Sequence, residues 1–275
     1  MAPDRPAALV TGSASGIGRA AALRLARAGY DVAINYSRSA DTAQTTLAEL
    51  DRLGGRHLAL RADVSDDAAV AALAAEIGGT AVVADVTDDA AVAALAEEAG
   101  QTFGRLDALV NNAGMTSQTP PDDLDGVDLA EWDRVFAVNV RGLFQVTRAC
   151  APLLRAAGGS VVNVASIVGL RPGPQPLAYA ASKAAVVSLT RTLSRVLAPE
   201  VRVNAVAPGW IAGEWMQRTL GDNYERLMER RATWTPMQRN VTGEDVAETI
   251  FSLVSSNPFV TGETIVIDGG YAATS

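Results

Sequence analysis

Short apolar runs alternate along this chain with longer Ala-rich stretches whose apolar positions recur at helical spacing. Ala8-Leu9-Val10 predicts a first strand, and 16–28 a helix ending at Gly29. Val32-Ala33-Ile34-Asn35 predicts a second strand, 41–53 a second helix ending at Gly54, and His57 to Ala62 a third strand. Later strands are expected at Leu106 to Val110, Ser160 to Val164, Arg202 to Val206 and Thr264 to Ile267. Helices are expected near 130–157, 178–198 and 243–255. Repeated βα order implies an α/β fold: one doubly wound domain over 1–275, its mainly parallel sheet covered by helices on both faces. Ligands of such sheets bind beyond the carboxyl ends of the strands, where the strand order reverses.

One feature interrupts the alternation. Residues 62–76 and 84–98 differ only at Ser65/Thr87 and Ala75/Glu97, a tandem repeat within 62–98 at an offset of 22. Two copies do not make a solenoid, which needs about three. Either a βα unit has been duplicated or the sequence contains a splice.

Composition narrows the function classes. Of 275 residues 48% are apolar and 20% charged, a balance that supplies a sizeable core. The net charge of −8, with no Lys/Arg cluster, argues against a nucleic-acid binder. No apolar run reaches the roughly 18 residues of a membrane helix. The first residues lead straight into a strand-like run rather than a secretory signal. The expectation is a cytoplasmic protein that engages neither membrane nor nucleic acid. Cys150 is the sole cysteine and falls in an apolar helical stretch, so it is expected in the core. His57 is the sole histidine and is expected at the surface, which leaves no multi-histidine metal site.

The candidate chemistry begins at the first βα junction. Gly12, Gly16 and Gly18 follow G-x-x-x-G-x-G, with Ser15 and Ile17 between them. Glycines let a backbone turn tightly and approach a pyrophosphate, and the following helix N-terminus offers free N–H groups. An acidic residue after the second strand would repel a 2′-phosphate. Here the chain reads Asn35-Tyr36-Ser37-Arg38-Ser39, with no carboxylate. Ser37, Arg38 and Ser39 would hold a phosphate, with Arg19 to assist, so NADP(H) is the expected cofactor.

Tyr179 and Lys183 are spaced i and i+4 and share a helix face. A phenol near pKa 10 is a poor base near neutrality, and a nearby ammonium lowers that pKa. The pair suits acid/base work at a carbonyl or alcohol carbon. Ser166 ends a strand thirteen residues earlier. Asn139-Val-Arg-Gly142, Asn111-Asn112-Ala113-Gly114, Pro208-Gly209 and Asp268-Gly-Gly270 complete an ordered set.

From Leu9 to about Gly270 this set resembles the short-chain dehydrogenase/reductase family, most similar to its 3-oxoacyl-acyl-carrier-protein reductase-like branch. The resemblance implies a Rossmann-type catalytic domain that interconverts a ketone and a secondary alcohol. It implies a catalytic tetrad of Asn139, Ser166, Tyr179 and Lys183. Ser166 would orient the substrate oxygen, Tyr179 would give or take the proton, Lys183 would hold the nicotinamide ribose, and Asn139 would hold a water. Cofactor contacts are implied for Gly12, Ser15, Gly16, Ile17, Gly18, Ser37, Arg38, Asn112, Ala113, Gly114, Tyr179, Lys183, Pro208, Gly209 and Ile211. The adenine contact falls to Asp63 with Val64, or to Asp85 in the second repeat copy; Asp63 is favoured because it directly follows the third strand. Where the family commonly has a Thr four residues after the Gly of Pro-Gly, this chain has Gly213, and the carboxamide contact is lost or made by backbone. A homotetramer is also implied.

Between Trp210 and Gly243 lie Trp210, Trp215, Met216, Leu220, Tyr224, Leu227, Met228, Trp234 and Met237. By resemblance 210–242 is a substrate lid; alternatively these side chains pack on their own core. Arg218, Arg226, Arg230 and Arg231 are interleaved with acids and suggest no specific anion site. Two other functions compete: a non-catalytic dinucleotide sensor, against which the intact tetrad argues, and a sugar-nucleotide epimerase or dehydratase, for which the C-terminal region is short.

Overall fold

A computed structural model describes residues 5–37, 39–61, 93 and 105–273. Arg38, Asp63, Val64, Asp85 and, apart from Ala93, the repeat lie outside these residues. Among the described residues there are seven strands: β1 (Ala7–Val10), β2 (Asp31–Tyr36), β3 (His57–Arg61), β4 (Ala108–Asn111), β5 (Ser160–Val164), β6 (Arg202–Pro208) and β7 (Thr264–Ile267). They form one parallel sheet in the order β3-β2-β1-β4-β5-β6-β7. The chain winds outward from β1 to β2 and β3, then returns to pair β4 against β1, with Val10 opposite Val110. The reversal of strand order lies between β1 and β4, and both the glycine loop and Asn112-Ala113-Gly114 leave the sheet there.

Alternation along the strands fills two cores. Ala7, Leu9, Leu109, Val161 and Val203 face α4 (Leu143–Ala157) and α5 (Leu177–Leu197), packing with Val146, Cys150, Leu154, Val186 and Leu193. Ala8, Val10, Val32, Ile34, Val110 and Val206 face α1 (Gly16–Arg27) and α8 (Gly243–Ser255), packing with Leu23, Leu25, Val246 and Ile250. Burial on both faces is why β1 reads as an unbroken apolar run and β2, β4 and β5 as largely apolar ones. Cys150 is fully buried, and burial pushes its thiol up to about 12.

Several elements depart from expectation. The helix expected over 130–157 is three pieces: α3 (Leu129–Phe136), a π-wound turn (Ala137–Gly142) and α4. The fourth strand starts at Ala108 rather than Leu106, because Asp107 ties off the sheet edge by accepting from the Ala7 N–H at 2.8 Å. β6 runs on to Pro208, which pairs with Ile267. His57 is half-buried rather than at the surface. Its Nδ1 accepts from the Val32 N–H at 3.2 Å, and burial lowers its pKa. The segment 210–242 holds α6 (Glu214–Leu220) and α7 (Tyr224–Trp234); α2 (Ala40–Asp51) packs beside β2 and β3. Among the described residues no helix is long and apolar enough to cross a membrane.

Candidate active site

Three glycines shape the loop after β1 in different ways. Gly16 has φ +57° with open space around its Cα, so backbone conformation alone calls for glycine. A Cβ on Gly18 would sit 2.5 Å from Asn112 Nδ2 and 2.6 Å from the Gly12 carbonyl oxygen. A Cβ on Gly12 would meet the Ala113 Cα at 2.8 Å. The loop therefore lies flat against the end of β4. Asn112 Nδ2 stitches it there by donating to the Thr11 and Gly12 carbonyls at 2.9 and 2.8 Å. Thr11, which the sequence did not single out, accepts through Oγ1 from the Asn112 and Ala113 N–H groups, each at 3.0 Å. Ser15 precedes α1 in extended backbone and its side chain does not cap the helix. This cradle, with the α1 N-terminus behind it, fits a dinucleotide pyrophosphate.

The ribose side is less complete. Ser37 is exposed at the end of β2, and Arg38 lies outside the described residues. Arg19, expected from the sequence to assist a phosphate, is instead engaged elsewhere. Its Nη2 is paired with Glu49 Oε2 at 2.5 Å, across the contact between α1 and α2, and this pairing lowers the Glu49 pKa.

The four expected tetrad residues converge from three elements. Ser166 leaves β5 in extended backbone, and its side chain stands beside the Tyr179 phenol and lowers its pKa. Tyr179 and Lys183 stand one turn apart on α5, with Lys183 Nζ 5.6 Å from the phenol ring centroid. Lys183 is buried and donates to the Val164 carbonyl at 2.8 Å. A Cβ on Gly169 would lie 2.6 Å from the Lys183 carbonyl carbon, so the turn after Ser166 rests directly on the α5 backbone. Asn139 reaches the group from the π-wound turn. Its Nδ2 donates to the Met115 carbonyl and to Ser182 Oγ, both at 2.9 Å, and its Oδ1 accepts from the Met115 N–H at 2.8 Å. The side chain is a strut between strand end and helix. A Cβ on Gly114 would come within 3.3 Å of Asn139 Oδ1 and 3.6 Å of Lys183 Nζ.

Burial governs the electrostatics. It pushes Tyr179 up to about 12, against the opposing effect of Ser166, and brings Lys183 down to about 8. The expected lowering of Tyr179 by the ammonium is not seen: burial raises its pKa, and the opposing cause is Ser166.

The remaining expected positions border this group. A Cβ on Gly209, after Pro208, would meet the Asp268 Cβ at 2.7 Å, and the Asp268 carboxylate caps the final turn by accepting from the Gly270 and Ala272 N–H groups. Ile211 bridges to Val241. Gly213 has φ +138°, outside the range a Thr adopts easily, and its N–H donates to the Tyr224 hydroxyl at 3.1 Å. Trp215 lies against Tyr179, ring centroids 6.4 Å apart. Arg231, read from sequence as one of a mixed charge set, is wedged beside Trp210 at 4.4 Å and hydrogen-bonds the Tyr271 hydroxyl.

The short chain dehydrogenase family model matches residues 6–80, and the Enoyl-(Acyl carrier protein) reductase model of the same kind matches 68–272. A protein assigned as ketoacyl reductase 2 of the granaticin polyketide synthase of Streptomyces violaceoruber is 40% identical over 270 residues, covering 98% of this chain and 97% of that protein. The 3-oxoacyl-[acyl-carrier-protein] reductase FabG of Staphylococcus aureus is 36% identical, covering 96% of each chain. Among solved structures, levodione reductase superposes with a TM-score of 0.83 at 29% identity over 98% of both chains. The chain belongs to the short-chain dehydrogenase/reductase family. A short-chain dehydrogenase/reductase from Mycobacterium marinum also matches, with a TM-score of 0.78 at 32% identity over 97% of this chain and 94% of that one. For this short-chain dehydrogenase/reductase, an oxidoreductase using a nicotinamide dinucleotide, the glycine cradle and the Ser166–Tyr179–Lys183 group share the carboxyl edge of the sheet.

Proposed function

We propose that the protein reduces a ketone to a secondary alcohol, and runs the reverse reaction, with NADP(H) as cofactor and Tyr179 as general acid/base. The observation that carries this reading is the placement of the Ser166 side chain beside the Tyr179 phenol, whose pKa it lowers, with buried Lys183 one turn along the same helix. Two hydroxyls side by side form a bidentate seat for one carbonyl oxygen. When bound, the reduced nicotinamide supplies the hydride.

Ser166 donates to the carbonyl oxygen and holds it against Tyr179. The neutral Tyr179 phenol gives its proton to that oxygen as the carbon is reduced, and in the reverse direction the phenolate removes it. Lys183 stabilises the phenolate left behind, because an ammonium this buried acts through a weakly screening medium. Asn139 fixes the strand end and helix on which these groups stand.

The preference for NADP(H) rests on the absence of a carboxylate over Asn35-Tyr36-Ser37-Arg38-Ser39. With Arg19 committed to Glu49, Arg38 is the residue we assign to the 2′-phosphate. Ketoacyl reductases among the relatives support ketone reduction as the working direction. We read the assembly as a homotetramer, following the family. Partly exposed Ile265 and Val266 on its last strand, with fully exposed Phe259 in the turn before it, give an apolar surface for a neighbour. The compartment follows the family as the cytoplasm, and 210–242 acts as the substrate lid. The test is a panel of ketones and secondary alcohols with NADPH, NADH and their oxidised forms, read by absorbance of the reduced nicotinamide. Turnover favouring NADPH supports the reading; no turnover with any carbonyl overturns it.

A further inference from the structure

We infer that Trp215 is a substrate-recognition residue that selects a planar, aryl-conjugated ketone over a saturated one of the same shape. The inference rests on the reading of Tyr179 as the group that meets the carbonyl.

Trp215 stands on α6, a helix that buries none of its residues. Packing on a local core therefore does not account for this indole, which remains 45% exposed. Its aromatic neighbour is Tyr179, at 6.4 Å between centroids with the ring planes inclined by 53°. The same phenol stands beside Ser166, which lowers its pKa. A ketone oxygen seated on the two hydroxyls brings its carbon skeleton beside the indole.

The wall is held in place before any ligand arrives. Main-chain bonds from Ala212 N–H to the Val241 carbonyl at 3.0 Å, and from Val241 N–H to the Trp210 carbonyl at 3.1 Å, pin the root of α6. Gly213 then turns at φ +138°, held by the Tyr224 hydroxyl. Arg231 stacks beside Trp210 and bonds Tyr271, anchoring the segment to the C-terminal turn. An indole, with only two side-chain torsions, loses little freedom on binding. A π-ligand stacked on it gains beyond the area it buries, whereas a saturated ring gains from area alone.

The test compares 1-tetralone with 1-decalone, which share a bicyclic skeleton and differ in the aromatic ring. Binding is measured by titration calorimetry with NADP+ and, in parallel, NAD+ present, for wild type, Trp215→Leu and Trp215→Phe. Wild type should bind 1-tetralone, Trp215→Leu should weaken that binding about three- to tenfold, and 1-decalone should change less than about twofold. Trp215→Phe should keep 1-tetralone within about twofold of wild type, which also shows that the site still folds. Failure of wild type to bind 1-tetralone, or equal changes for both ketones, overturns the inference. Turnover is a separate readout: binding that depends on Trp215 with no reduction of either ketone, or of any other, would count against the reductase reading and leave the recognition role intact.

Discussion

Lys183 Nζ donates to the Val164 carbonyl oxygen at 2.8 Å inside the protein, 5% exposed, where burial brings its pKa down to about 8 from an ordinary 10.5. The sign follows directly. A cation whose folded pKa is depressed penalises the fold wherever it is protonated. That penalty is complete below pH 8, fades as pH rises from about 8 to 10.5, and is absent above. Lys183→Met removes it and leaves the Val164 carbonyl without this donor, at a cost of about 1–3 kcal/mol. We expect the variant to melt a few degrees higher than wild type at pH 7, and lower than wild type near pH 10.5. Thermal denaturation at both pH values checks this. A variant less stable by the same margin at both would contradict it. The same variant should lose most turnover, so stability is given up at this position for chemistry.

The phosphate-side reading separates two arginines. Arg38→Ala should weaken NADPH binding about tenfold or more while changing NADH binding less than about twofold, a loss in line with a charge-assisted contact to phosphate. Arg19→Ala should change both cofactors alike and weakly, because it removes a partly exposed ion pair worth about 0–1 kcal/mol. Fluorescence titration with each cofactor decides. Equal losses from Arg38→Ala, or a selective loss from Arg19→Ala, would reverse the assignment.

Much of this was legible in the sequence, and what was not has physical reasons. Strands buried on both faces are mostly apolar, so Ala8-Leu9-Val10 and Ser160 to Val164 announce themselves. The glycine loop and the Tyr179–Lys183 spacing are local patterns, and they meet in space because both leave the carboxyl edge of one sheet. The π-wound turn at Asn139 was hidden, since it differs from an α-helix by one residue of hydrogen-bond register and no local residue dictates it. The Arg19–Glu49 pair joins helices thirty residues apart, and only packing brings them together. The direction of the Tyr179 shift was misjudged because spacing shows a nearby ammonium but does not show how much water has been removed. His57 was placed at the surface by its Gly-rich flank, whereas its register against Val32 turns the ring inward.

The repeat makes its own prediction. All seven described strands lie outside 62–98, with β3 ending at Arg61 and β4 beginning at Ala108. We therefore expect deletion of residues 63–84 to leave a folded protein that binds NADPH, with Asp85 taking the place of Asp63. In the full chain, Asp63→Ala should weaken cofactor binding more than Asp85→Ala. Circular dichroism and cofactor titration check both statements. An insoluble deletion product would make the extra unit part of the core, and a larger effect of Asp85→Ala would make the second copy the functional one.

The Tyr179 phenol also fixes a pH response. With its pKa pushed up to about 12, the neutral donor is present throughout the usual range, whereas the phenolate base grows tenfold per pH unit. Ketone reduction should not show Tyr179 titrating below about pH 10, and kcat/KM for alcohol oxidation should rise with pH. A fall in reduction with a midpoint near neutrality that vanishes in Tyr179→Phe would contradict the shift.

The most direct test of the whole account is Tyr179→Phe, measured for kcat and for cofactor binding in the same preparation. The ring and its contact with Trp215 are retained while the proton donor at Ser166 is removed. The account predicts that kcat falls about a hundredfold or more while the cofactor Kd stays within about threefold of wild type. A variant that keeps more than about a tenth of wild-type kcat, with chemistry limiting, would show that Tyr179 is not the acid/base.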